Sequence, residues 1–81
     1  MAELLRGDVV RSTAGHDRGT LLLVLQTDGD RVAVADGRLR KLSKPKWKNR
    51  KHLRFAGKSP EGELPESDAS VRALLARYAS E

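Results

Sequence analysis

Apolar positions along the chain come first in short blocks and only near the end at helical spacing. Asp8-Val9-Val10-Arg11-Ser12 follows Gly7 and is β-branched at its centre, which predicts a first strand. Ala14-Gly15-His16-Asp17-Arg18-Gly19 carries two glycines in six residues and predicts a loop. Residues 20–27 are apolar almost throughout, the pattern of a central strand covered on both faces. A buried helix has a similar pattern, but Gly19 before this short run and Asp28-Gly29 after it favour the strand. Asp28-Gly29 predicts a two-residue type I′ hairpin turn. In Arg31-Val32-Ala33-Val34-Ala35 the two valines share one face, and Asp36-Gly37 marks the next turn.

The pattern then loosens. Residues 38–42 predict a short strand, although Leu39 and Leu42 lie three apart and break alternation. Pro45 has no amide to donate and belongs at an edge or in a loop. In residues 51–56, Leu53 and Phe55 share one face and His52 and Arg54 the other, which predicts a closing strand. Gly57, Ser59, Pro60, Gly62 and Pro65 predict a linker. Ser67 then suits a helix N-cap, with Asp68 complementing the helix dipole. Val71, Leu74, Leu75 and Tyr78 follow at i, i+3, i+4 and i+7, one apolar stripe. A helix this short is marginal alone and needs a surface to pack on, whether the barrel, a protein partner or the ribosome. The division expected is a small β-barrel over 1–56, a linker over 57–66 and a helix over 67–80.

Composition narrows the class. Eighty-one residues suffice for one modest core, and Trp47, Phe55 and Tyr78 are its whole aromatic supply. The absence of cysteine removes disulfides, thiol nucleophiles and cysteine-based zinc sites. The longest apolar run covers residues 21–25, far short of the ~20 residues of a membrane span. The first residues lack a signal-peptide layout, so the expectation is a soluble cytoplasmic protein.

Charge changes the picture most. The formal charge of +5 conceals a division into −2 over residues 1–37, +10 over 38–58 and −3 over 59–81. The middle segment holds ten cations and no acid: Arg38, Arg40, Lys41, Lys44, Lys46, Lys48, Arg50, Lys51, Arg54 and Lys58. If the stretch is extended, Lys44, Lys46, Lys48 and Arg50 project from one face about 6.6–6.8 Å apart, a ladder about 20 Å long. Such a row can track a sugar–phosphate backbone. A bland reading, a solvated charge run, fits ten uncompensated cations less well. Trp47 then points the other way, either to stack on a base or to cap the core.

The scarcity of aromatics argues against proline-rich or methyl-lysine ligands and against platforms that stack successive bases. Contacts with phosphate and with the shape of a folded RNA remain. His16 and His52 lack metal-ligand spacing, the serine, histidine and aspartate of residues 12–17 are neighbours in sequence rather than a triad, and no P-loop ending follows Gly15 or Gly19. The expectation is a binding protein, not an enzyme, with no metal and no cofactor.

Gly7-Asp8-Val9-Val10-Arg11-Ser12 and Ala14-Gly15-His16-Asp17-Arg18-Gly19-Thr20, followed by the apolar strand and Arg31-Val32-Ala33-Val34, resemble the KOW motif, with Gly19 at its central glycine. Gly37-Arg38-Leu39-Arg40-Lys41-Leu42, Lys44-Pro45-Lys46 and Asn49-Arg50-Lys51-His52-Leu53 look like the tail of short bacterial KOW-domain RNA-binding proteins. Those are similar to KOW-class large-subunit ribosomal proteins of archaea and eukaryotes. The resemblance covers about 60% of the chain and implies an SH3-like barrel that contacts RNA, most simply ribosomal RNA of the large subunit. The RNA-binding residues expected are Gly15, His16, Arg18, Gly19, Arg38, Arg40, Lys41, Lys44, Lys46, Trp47, Lys48, Arg50, Lys51 and His52. The KOW loop here offers only Arg18 beside His16 and Asp17, where many such loops carry more lysine. Two alternatives are a transcription-elongation type of KOW module acting on polymerase or nucleic acid, and an adaptor that works through the helix stripe.

Overall fold

A computed structural model describes residues 3–59 and 64–79. Five strands, β1 (Asp8–Ser12), β2 (Leu21–Asp28), β3 (Arg31–Ala35), β4 (Lys46–Asn49) and β5 (Leu53–Lys58), form one antiparallel sheet, and a helix, α1 (Asp68–Ala79), follows. The strand order is β4-β3-β2-β1-β5, so the apolar strand β2 lies at the centre, as its pattern predicts.

Both faces of β2 are covered along its first half, Leu21 to Val24. Leu22 and Val24 point to one side and form the inner core with Val10, Val32, Val34 and Leu4, with Leu53 packed beside them. Leu21 and Leu23 point to the other and meet Val9, Val71, Leu74 and Leu75. The helix stripe is therefore taken up by the sheet, and its predicted use as a protein-docking face loses its surface. Ser67 caps α1 as expected: the Ser70 amide donates to Ser67 Oγ at 3.1 Å. Asp68 adds a tie the pattern does not reveal, accepting the Leu42 amide at Oδ1 (2.8 Å). Arg72 Nη1 donates to the Gly37 carbonyl, and the Tyr78 hydroxyl donates to the Lys58 carbonyl. Gly37, at φ +79°, sits so close to α1 that a Cβ would strike the Asp68 carbonyl oxygen.

Four expectations need correction. The sheet is β-rich and small, as predicted, but it does not close into a barrel. β4 has four residues and pairs only with β3, and β5 pairs only with β1. A 3-10 turn (Arg50–His52) carries the chain across the gap between these edges. Leu4 and Leu53 fill the inner space at that opening. Residues 38–42 form no strand, because Asp36 Oδ1 accepts the Arg38 and Arg40 amides that a neighbouring strand would otherwise bind. The β2–β3 turn centres on Gly29 and Asp30, since Asp28 pairs with Arg31. Gly29 has φ +60° and Asp30 a negative φ, the signs of a type II′ rather than a type I′ turn. Finally, Gly57 and Lys58 belong to β5, so the linker starts later than predicted. Residues 60–63 of that linker, and Ser80 of the predicted helix, lie outside the described residues.

Candidate nucleic-acid interface

The expected binding residues fall on four neighbouring pieces of chain. Gly15, His16, Arg18 and Gly19 lie in the β1–β2 loop, and Arg38, Arg40, Lys41 and Lys44 in the β3–β4 loop. Lys46, Trp47 and Lys48 lie on β4, and Arg50, Lys51 and His52 form the 3-10 turn. Backbone hydrogen bonds join two of these pieces to each other and tie one of them to the β2–β3 hairpin. The Thr13 amide donates to the His52 carbonyl (2.8 Å), joining the β1–β2 loop to the 3-10 turn. The Arg50 amide donates to the Asp30 carbonyl (2.7 Å), joining that turn to the β2–β3 hairpin. Asn49 caps the turn by accepting the Lys51 amide at Oδ1 (3.1 Å).

The four-cation ladder is not formed. Only Lys46–Asn49 is extended. Within it alternation holds, but Lys46 and Lys48 pair across from Val34 and Val32, whose side chains form the inner core. Lys48 is buried. Its Nζ donates to Asp17 Oδ1 at 2.9 Å and lies 3.3 Å from the Ala14 carbonyl. Lys48 is thus a brace for the β1–β2 loop rather than a phosphate contact. Trp47 points the other way and is 40% exposed, so it does not cap the inner core. Arg50 has already left the strand for the 3-10 turn.

Asp17 is the hub of the loop. Ser12 Oγ lies 2.9 Å from the Ala14 carbonyl and 3.0 Å from Asp17 Oδ1, with one proton to share between them. Burial pushes the Asp17 carboxyl upward, but the hydrogen bonds from Lys48 and Ser12 and the positive charges of Lys48 and Lys46 outweigh it. The net result lies below the ordinary 3.8. The second oxygen, Oδ2, is buried with no partner, so the carboxylate depends on Lys48. With this brace, Gly19 (φ +87°) turns at the loop's end, and a Cβ there would meet nothing within 4 Å. That open side lets another backbone approach closely.

The remaining cations reach solvent. Arg18, Arg38, Lys41, Lys44, Lys51 and Arg54 are exposed, and Arg40, Lys46 and Arg50 are partly so. His16 is exposed and His52 half-buried. Most of these cations flank β4, an edge strand with one unpaired side, while Arg18 lies in the β1–β2 loop and Arg54 on β5. Lysine on an edge also discourages strand-to-strand aggregation, but that role does not require cations in both adjoining loops and in the turn.

Two arginines outside the basic segment join this surface. Arg11, Arg38 and Arg72 line a cleft of about 220 Å³ where the β1–β2 loop meets α1, with Asp36 on its wall. Arg11 Nη1 also holds the Gly19 carbonyl at 2.7 Å, orienting the loop. Alternation could have flagged Arg11, since it shares the outer face of β1 with Val9. Arg72 was hidden by the acidic balance of its segment. Among the described residues no group of three potential metal ligands occurs, and no helix is long and apolar enough to cross a membrane. No family model and no curated protein matches the chain.

Proposed function

We propose that this protein binds structured RNA, and that its site is the cationic surface around the β4 edge together with the braced β1–β2 loop. The observation that carries the reading is the exposure of Arg38, Lys41, Lys44, Lys51 and Arg54 in a segment with no acid of its own. Several exposed cations on so small a domain suit successive phosphates on a folded backbone and give affinity with little sequence readout. The resemblance to KOW proteins supports ribosomal RNA as the particular target and the large subunit as the setting. Gly19 has the open, positive-φ geometry that a backbone-approaching loop needs.

Co-sedimentation tests the assignment. The protein should travel with large-subunit particles at moderate salt, and Lys41→Glu/Lys51→Glu should release it. Absence from those particles, combined with retention on RNA polymerase, would favour the transcription-factor alternative.

A further inference from the structure

Phe55 sits where a core residue belongs, yet it is 54% exposed. Its cross-strand partner is Val10, which is fully buried in the inner core. Alternation therefore places Phe55 on the inward side of β5, as the sequence predicts. The ring is left open because the sheet does not close over it. It faces a hollow of about 590 Å³ between the 3-10 turn and β5. That size lies within the roughly 300–1,000 Å³ of ordinary ligand sites.

The lining is specific in kind. Leu4, Leu53 and Phe55 supply the apolar part of the lining. Asp30, Asn49, Arg50 and Lys51 supply the polar and charged part of the lining. An apolar slot with one aromatic ring, hydrogen-bonding groups and two cations to one carboxylate matches a nucleotide: a flat base against the ring, a phosphate beside the cations.

We propose that this hollow receives one unpaired nucleobase of the bound RNA, stacked on Phe55, with Arg50 and Lys51 on the flanking phosphates. The proposal rests on the RNA-binding reading and adds to it a preference for RNA with an unpaired base over a continuous duplex. Charge complementarity favours this occupant over an apolar peptide or a second copy of the chain, neither of which would need the two cations.

The test is fluorescence anisotropy with two labelled RNAs, a hairpin with a loop of unpaired adenines and a blunt duplex of the same stem. The wild-type protein should prefer the hairpin. Phe55→Ala should weaken hairpin binding by about tenfold and duplex binding by less than about twofold, since one stacked base is lost. Phe55→Tyr should keep the preference. Upfield shifts of the Phe55 ring protons on adding the hairpin would give independent support.

Equal hairpin affinity for Phe55→Ala and wild type overturns the proposal and leaves RNA binding standing. Equal loss on both RNAs also overturns it, and so does a self-dimer that Phe55→Ala dissolves. A wild-type protein that binds neither RNA overturns this proposal and the RNA-binding reading together.

Discussion

Replacing Lys48 with methionine separates stability from binding at a residue whose sequence context suggests a phosphate contact. Methionine keeps most of the stem's length and removes the ammonium group. The side chains of Lys48 and Asp17 are only 7% and 16% exposed, so their attraction is little screened. Without Lys48 the carboxylate keeps Ser12 on one oxygen, while its other oxygen is already buried and unpartnered. Breaking fully buried pairs costs about 3–5 kcal/mol, and the residual exposure of Asp17 reduces this to about 2–3 kcal/mol. For a domain of this size that lowers Tm by roughly 10–20 °C.

The pH dependence has a definite sign. In the wild-type protein the Asp17 pKa is depressed, so the pair stabilises fully above the unfolded-chain value and is lost as pH falls through the folded value. In Lys48→Met, burial acts on the carboxyl with less opposition and the folded pKa rises. The variant then sheds its uncompensated charge on acidification. The stability gap measured by urea denaturation should therefore be widest at neutral pH and narrower near pH ~4. RNA affinity below the melting range should stay within about twofold of wild type, because an inward-facing lysine releases no counterions. A large affinity loss with unchanged stability would show that Lys48 faces the RNA and would refute the brace.

Two further substitutions probe the packing of α1. Gly37→Ala introduces a Cβ at φ +79° directly against the Asp68 carbonyl. It should cost about 1–3 kcal/mol and speed amide exchange throughout α1, and an unchanged Tm would contradict the docked position. Ser67→Ala removes the N-cap that receives the Ser70 amide. The expected loss is about 1 kcal/mol, read by thermal melting, with faster exchange confined to the first turn of α1.

How far the sequence could be read depended on what each pattern encodes. The apolar run of β2 requires cover on both sides, and the two cores flanking Leu21 to Val24 supply it, while Gln26 to Asp28 are exposed. The spacing of Val71, Leu74, Leu75 and Tyr78 identified the buried side of α1, although not its partner. Alternation on β4 correctly grouped Lys46 with Lys48, but it cannot say which group faces inward. Only pairing with Val32 and Val34 decides that. Likewise, alternation placed Phe55 on the inner side of β5, and its exposure follows from an opening between edges that a strand count does not reveal. The lost strand at 38–42 turned on one side chain, Asp36, satisfying two amides locally. Arg11 and Arg72 joined the cationic surface from segments whose net charge is negative.

The most direct measurement is RNA affinity as a function of salt. For wild type, the logarithm of the association constant with a folded ribosomal RNA fragment should fall linearly with the logarithm of salt concentration. Lys41→Glu/Lys51→Glu should weaken binding about equally across RNA sequences and reduce the steepness by about 0.9 for each phosphate in paired regions that is no longer neutralised. Lys48→Met, still folded, should keep the wild-type slope. No measurable affinity at low salt, or a slope unmoved by reversing the two exposed lysines, would contradict a phosphate-binding surface along the β4 edge.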